Sequence, residues 1–448
     1  MPLSPAFVWG AATAAYQIEG AVDEDGRGES IWDRFVRRPG AIEGGATGAV
    51  ADDHYHRWRT DLDLVSELGL TAYRFSIAWP RILPEGRGAV NRRGLDFYSR
   101  LVDGLLERDV RPFVTLYHWD LPQALEDADG GWRARSTADR FADYAAIVFD
   151  ALGDRVADWI TLNEPYVSAF VGHHQGTHPP GLHDLAAAVA AAHHLLLGHG
   201  RAVDAFRASG RPGRIGITLD LQVSAPATDE DGDVEAAVLS DGATNRWFLD
   251  PLFRSAYPAD IVSLFEANGA RVAGVIGPGD LDTIGTSLDF LGLNYYFRRR
   301  IRAAAEGFGW RELPANGGAQ PNEMGWNVDP SGLTEQLRRI RREYTELPIH
   351  VTENGIALRD EPGPDGRVVD DARIAYLEAH VAAIEEAIEA GVDVRGYFVW
   401  SLLDNFEWAH GYRPRFGLVH VDYATQRRTP KASAAWYADL VRANGLRG

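Results

Sequence analysis

Short apolar, β-branched or aromatic runs alternate along the chain with longer stretches of helical period. The runs at residues 7–15, 72–79, 112–119, 159–163, 215–221, 290–296, 349–353 and 396–400 read as strands. Between them, residues 55–68 place Trp58, Leu62, Val65 and Leu68 on one stripe. Residues 95–106 and 141–152 repeat that pattern, and residues 372–390 are rich in Ala and Glu with no internal breaker. Strand and helix therefore alternate about eight times, which predicts an α/β protein with a parallel sheet closed into a single (β/α)8 TIM barrel with extended βα loops. No linker composition or short repeat interrupts residues 1–448, so one catalytic domain is expected.

An open doubly wound sheet is the competing architecture. It is disfavoured because no glycine-rich dinucleotide fingerprint follows the first strand. Polar and aromatic residues also collect at the C-terminal ends of several strands: His118 and Trp119, Asn163 and Glu164, Asn294 and Tyr296, Glu353, and Trp400. In a barrel these ends converge on the face where barrel enzymes keep their chemistry.

Composition narrows the chemistry. The net charge of −19 opposes nucleic acid, anionic membranes and polyanionic substrates, and a neutral polyhydroxylated substrate fits better. The absence of cysteine excludes disulfides, thiol catalysis and cysteine-ligated metal clusters. His173, His174, His178 and His183 crowd what reads as a loop, and His193 and His194 sit on the next helix. Their spacing matches no zinc pattern, so neither metal nor cofactor is expected. No run reaches the ~18 apolar residues of a membrane span, and the first ten residues lack a signal-peptide pattern. A cytoplasmic protein is the expectation; nothing in the sequence sets its oligomeric state.

Two carboxylates stand out. Glu164 ends a strand in Thr161-Leu162-Asn163-Glu164-Pro165, where Pro165 is expected to keep it extended. Glu353 ends another in Thr352-Glu353-Asn354-Gly355, with Gly355 expected to make a sharp turn. Strand-end glutamates on separate strands can face each other across a barrel mouth. Arg74, in mid-strand among apolar neighbours, needs a carboxylate partner.

These two motifs resemble the catalytic motifs of family 1 glycoside hydrolases. Five further segments follow in that family's order: FVWGAATAAYQIEG from Phe7, YRFSIAW from Tyr73, TLYHWD from Thr115, LNYY from Leu293 and YFVWSLLDNFEW from Tyr397. Seven motifs in order, over nearly the whole chain, make the resemblance specific. It implies a retaining β-glucosidase with Glu164 as acid/base and Glu353 as nucleophile, the latter supported by Arg74 and Tyr296. A retaining pair needs carboxyls about 5–5.5 Å apart. The resemblance further implies a substrate-binding set of Gln17, His118, Trp119, Asn163, Asn294, Tyr296, Trp326, Trp400, Glu407, Trp408 and Phe416, and a cis bond between Trp400 and Ser401. Trp326 would face the aglycone. Trp58, Trp159 and Trp247 read as packing residues.

The expected substrate is a small β-glucoside or cello-oligosaccharide, with some activity on β-galactosides or β-fucosides and a place in cellulose and polysaccharide degradation. Thioglucosidases of the same family typically carry Gln where this chain has Glu164. Members acting on 6-phosphosugars typically replace the Glu407 region with Ser and a downstream Lys-Tyr pair. A carbohydrate-binding protein without catalysis is disfavoured, because both carboxylates and their supporting residues are present.

Overall fold

The computed structural model describes residues 3–315 and 322–446; Met1, where the N-terminal reading begins, lies outside them. Eight parallel strands close into a barrel in sequence order: β1 Val8–Ala12, β2 Ala72–Ser76, β3 Arg111–Tyr117, β4 Asp158–Asn163, β5 Arg214–Asp220, β6 Phe290–Asn294, β7 Ile349–Asn354 and β8 Val394–Trp400. Pairing of β1 with both β8 and β2 closes the ring. The principal outer helices are α1 His54–Glu67, α2 Arg92–Leu106, α3 Arg135–Leu152, α4 Leu185–Ser209, α5 Trp247–Arg254, α6 Pro330–Glu343, α7 Asp371–Glu389 and α8 Ala432–Ala443. On α1, the expected stripe of Trp58, Leu62 and Val65 is the buried face, and Leu68 caps it.

The barrel interior is layered by the two-residue alternation of its strands. A lower layer packs Phe113, Phe290, His350 and Phe398 ring against ring. Gly10 makes room for it, since a Cβ there would lie 2.4 Å from the Phe398 ring. Two residues further along these strands, the layer turns polar. Thr218 donates to Thr352 at 3.2 Å, Thr352 donates to Asn294 Oδ1 at 2.8 Å, and Arg74 crosses the same level. The cavity opens above it.

Both glutamate-bearing strands break register just below their carboxylates. The shift lies between Ile160 and Asn163 on β4 and between Val351 and Glu353 on β7. Thr161 therefore points outward to His199 on α4, while Asn163, two residues on, points inward to Arg74. A bulge re-aims side chains in this way.

Several boundaries differ from the sequence reading. Strand β1 stops at Ala12, because Ala15–Ile18 coils into a helical turn whose first amide donates to Ser76 Oγ at 2.7 Å. Strand β2 stops at Ser76 because Pro80 favours the first turn of the short helix Trp79–Ile82. Helix α3 begins six residues before the apolar pattern, through a polar first turn that period alone does not flag. A three-stranded sheet of Val223–Pro226, Arg298–Ala303 and Trp310–Leu313, unforeseen in the pattern, grows from the ends of β5 and β6 beside the cavity. Trp159 and Trp247 are buried in the core and Trp58 nearly so. The Trp400–Ser401 bond is cis. Among the described residues, no helix is long and apolar enough to cross a membrane.

Candidate active site

Arg74 is the hub on which the two carboxylate strands meet. From β2, Nη1 donates to Glu353 Oε1 at 2.6 Å and to the Thr352 carbonyl at 3.0 Å. Nη2 donates to Asn163 Oδ1 at 2.6 Å. The second Glu353 oxygen accepts from Tyr296 Oη at 2.7 Å. Glu353 thus receives a charge-assisted bond on one oxygen and a phenol on the other, both of which favour its ionised form.

Glu164 has a different environment. Oε1 accepts from Asn294 Nδ2 at 2.7 Å, and among the described residues no Lys or Arg forms an ion pair with it. Burial raises its carboxyl well above the ordinary range, and the charges of Asp220 and Glu353 push it further. Burial also raises Glu353, but Arg74, Tyr296 and Asn294 pull it back. Two buried carboxyls so placed share their protons unequally, and Glu164 is the one that holds its proton.

The backbone at both glutamates departs from the sequence expectation. Glu164 is not extended: its φ is 45°. Pro165 closes the right-handed helical region to it, yet the chain must turn at once into the wide helix Val167–Gln175. The left-handed conformation satisfies both, and Glu164 N still donates to Thr218 O at 2.9 Å. Gly355 is not a turn residue with positive φ. It is required by close approach, because a Cβ there would sit 1.8 Å from the Trp400 carbonyl oxygen. Trp119 and Trp408 also take positive φ, at 78° and 49°. Non-glycine residues in that region cluster at functional sites.

A cavity of about 230 Å³ opens over the pair. Of the expected residues, His118, Trp119, Tyr296, Trp326, Trp400, Glu407, Trp408 and Phe416 line it with Glu164 and Glu353. Arg74, Asn163, Asn294 and Gln17 lie behind that wall as buried supports. Asn163 Oδ1 accepts from both Arg74 and Asn294, so its amide nitrogen faces His118 Nε2 at 3.1 Å. That contact assigns the proton of neutral His118 to Nδ1, which is buried and has no partner. Burial, then Arg74, holds His118 well below its ordinary pKa.

On the opposite wall, Gln17 Nε2 is committed to Asn405 Oδ1 at 3.0 Å and to the Phe406 carbonyl at 2.9 Å. Gln17 Oε1 and Glu407 Oε2 are buried without partners. Burial, then the charge of Glu353, pushes the Glu407 carboxyl up to about 8. The site therefore offers buried polar atoms that await hydroxyl partners. Indole and imidazole rings flank them: His118 stacks on Trp400 and Trp408 with centroids 5.9 and 6.0 Å apart. At the outer end Trp326 stacks on Phe297 at 4.9 Å and adjoins Tyr296 and Phe416.

Several cavity residues escaped the sequence reading. Asp220 and Gln222 extend inward from the end of β5, and Val167, Val171, His178, Phe297, Met324 and His410 also line the cavity. Asp220 continues the inward register of Gly216 and Thr218 on β5, the signal that could have found it. The histidine-rich segment is a loop only in its second half: His173 and His174 lie on the wide helix Val167–Gln175, while His178 and His183 follow it outside any helix or strand. His193 bonds Asp280 and Tyr257, and His194 bonds the Trp132 carbonyl. Among the described residues, no three His, Asp or Glu side chains are arranged to hold a metal ion.

Comparison with known proteins agrees with this geometry. The family described as Glycosyl hydrolase family 1 matches residues 2–446. A thermostable β-glucosidase B of Thermobispora bispora is 51% identical over 98% of this chain and 91% of its own length. A bifunctional β-D-glucosidase/β-D-fucosidase of Bifidobacterium breve is 47% identical over 98% of both chains. The solved β-glucosidase of Thermotoga maritima in complex with deoxynojirimycin superposes with a TM-score of 0.96 at 45% identity, covering all of both chains. With its barrel, its paired glutamates and a family match over almost its whole length, this chain belongs to glycosyl hydrolase family 1.

Proposed function

We propose that the chain is a retaining β-glucosidase that removes terminal non-reducing β-D-glucosyl residues, and that residues 1–448 act as one catalytic barrel domain. The observation that carries the reading is the asymmetry of the buried pair: Arg74 and Tyr296 bond Glu353 directly, while Glu164 accepts from the neutral amide of Asn294 and is raised by the charges of Asp220 and Glu353. In the first step Glu353 attacks the anomeric carbon. The glycosidic C–O bond breaks as Glu164 gives its proton to the leaving oxygen. A glucosyl ester on Glu353 and a free alcohol result. Esterification removes the Glu353 charge, so Glu164 becomes a stronger acid and its proton is more readily lost. Glu164 then takes a proton from water, the water oxygen bonds to the anomeric carbon, and Glu353 leaves as carboxylate.

Gln17, Glu407, His118 and Asn163 would fix the sugar hydroxyls, with Trp400 and Trp408 against its apolar face. Trp119 packs beside His118 and Trp408 on the sugar side, and Trp326, with Phe416 beside it, would bound the aglycone side. The substrates proposed are small β-glucosides and cello-oligosaccharides, which suits a late step of cellulose breakdown by a cytoplasmic enzyme. Side activity on β-fucosides is favoured by the bifunctional Bifidobacterium breve relative.

The test compares Glu353→Ala and Glu164→Ala across aryl β-glucosides of graded leaving-group ability. Glu353→Ala is expected to lose turnover of every substrate. Glu164→Ala should lose far more on poor leaving groups than on activated ones, and azide should restore it with formation of the β-glucosyl azide. Equal losses across leaving groups without azide rescue would overturn the assignment.

A further inference from the structure

Besides Glu407, a further carboxylate shares the cavity with the reacting pair. Asp220 ends β5, where the inward positions are Gly216, Thr218 and Asp220. Its backbone is paired with Asn294, the residue whose amide holds Glu164. The Glu164 amide in turn donates to Thr218 O, two residues before Asp220. Glu164 and Asp220 are thus anchored to the same short stretch of sheet.

Asp220 is itself held from the other side. Gln222 Nε2 donates to Oδ1, and Gln222 Oε1 accepts the amides of Tyr296 and Phe297 at 3.0 Å each. Arg299, on the strand Arg298–Ala303, brings Nη2 to 3.9 Å from Asp220 Oδ2. The Arg299 guanidinium lies between the rings of Tyr166 and Phe297, 5.7 and 6.0 Å from their centroids, with Glu312 as its other acidic neighbour.

We propose that Asp220, held in place by Gln222 and facing Arg299, is a positioning residue whose negative charge retains the proton on Glu164. This inference rests on the acid/base reading of Glu164. The charged and titratable groups around Glu164 are Asp220 from β5, Glu353 from β7, Arg74 from β2 and Tyr296 beyond β6. The charges of Asp220 and Glu353 both raise Glu164, and Arg74 opposes them. Burial raises Asp220 itself, and Arg299 and Gln222 counter that rise.

The consequence is specific to a charge that takes no part in bond making. Glu353 loses its charge when it is glucosylated, whereas Asp220 does not. Asp220 therefore strengthens Glu164 as a proton holder in the free enzyme and as a base in the intermediate. Removing its charge must shift both steps in one direction. Glu164 must be protonated for the first step, so the alkaline limb of kcat/KM moves to lower pH. Glu164 must be ionised for the second step, so the acidic limb of deglycosylation also moves to lower pH.

The experiment compares unaltered enzyme with Asp220→Asn and Asp220→Ser. One measurement is the pH profile of kcat/KM for a β-glucoside with a poor leaving group. The other is the pH dependence of reactivation of enzyme trapped with a 2-deoxy-2-fluoroglucosyl group. Both limbs are expected to fall by about one pH unit in each variant. A lowered kcat or raised KM with unmoved limbs would mean a structural or aglycone-binding role and overturn the proposal. Asp220→Glu, which keeps the charge, should leave both limbs in place, and limbs that fall there as well would overturn the proposal. Azide rescue of Glu164→Ala separates the two levels. Without rescue the acid/base assignment falls; with rescue and unmoved limbs, only the role of Asp220 falls.

Discussion

The Arg74 guanidinium donates to Glu353 Oε1 at 2.6 Å, with 1% of the arginine and 4% of the glutamate exposed. A buried pair of this kind does more to fix charge and geometry than to stabilise the fold. Replacing Arg74 by Met leaves Glu353 with one phenol donor and no counter-charge, so the Glu353 carboxyl rises. As nucleophile it must be ionised, so the acidic limb of kcat/KM moves to higher pH and activity is lost earlier as pH falls. The loss at neutral pH should be on the order of 10²–10³-fold. The pH profile checks it; an acidic limb identical to that of the unaltered enzyme would detach Arg74 from the state of Glu353.

Below the site, packing is tight enough to test by a single methyl group. A Cβ on Gly10 would meet the Phe398 ring at 2.4 Å and the Ala72 carbonyl oxygen at 2.8 Å. Neither the strand backbone nor a ring wedged against Phe113 can retreat freely. Gly10→Ala should cost about 1–3 kcal/mol of stability, read as a lowered Tm or denaturant midpoint. An unchanged midpoint would show that the lower barrel layer is looser than its contacts suggest.

How much of this was legible in the sequence depends on whether local pattern or three-dimensional closure decides the feature. The eight barrel strands and the α1 stripe follow from periodicity, because side-chain alternation and helical spacing are local. Glu164, Glu353 and Arg74 are legible because polar groups at strand ends, or inside apolar strands, need a reason to be there. The direction of Asn163 was not legible. A strict period of two puts it on the face of Thr161, and only the register break between Ile160 and Asn163 turns it inward. Asp220 was missed although it lies inside the run 215–221, because a period of two does not say which face of a strand points into the barrel. The φ of Glu164 was misread because Pro165 excludes one conformation without choosing between the other two.

Trp326 bounds the outer part of the cavity, stacked on Phe297 with 11° between their planes. Its ring neighbours are Tyr296, Phe297 and Phe416. Trp326→Ala should therefore weaken glucosides with aromatic or sugar aglycones while sparing methyl β-glucoside. One lost aromatic contact corresponds to about 0.5–1.5 kcal/mol, or roughly 2–10-fold in kcat/KM. Equal losses on the methyl and aryl glucosides would place Trp326 with the glucosyl unit instead.

Glu407 decides the last question, whether a phosphorylated sugar can enter. Its Oε2 is buried without a partner and faces a cavity whose lining, among the described residues, contains no Lys or Arg. The imidazoles offer no substitute. Burial holds His178 down to about 3 and His118 well below its ordinary value, so both are neutral at pH 7, and burial, then Arg413, lowers His410 as well. Glu407, pushed up to about 8, is itself only partly ionised in the free site, so its repulsion of an anion is weaker than a full charge would give. Hydroxyls donated by a bound glucoside favour its ionised form; a 6-phosphate disfavours that form and brings up to two negative charges with no cation to receive them. Desolvating those charges without a partner is the larger cost. The kcat/KM for an aryl β-glucoside should thus exceed that for its 6-phosphate by on the order of 10³-fold or more at neutral pH. Glu407→Ser should reduce glucoside turnover sharply, through loss of the hydroxyl acceptor, and narrow the ratio. It should not create a phosphate-preferring enzyme, because the serine supplies no positive charge. Equal efficiency of the unaltered enzyme on the two substrates would mean that a cation reaches the cavity during turnover, and the free-sugar reading would fail.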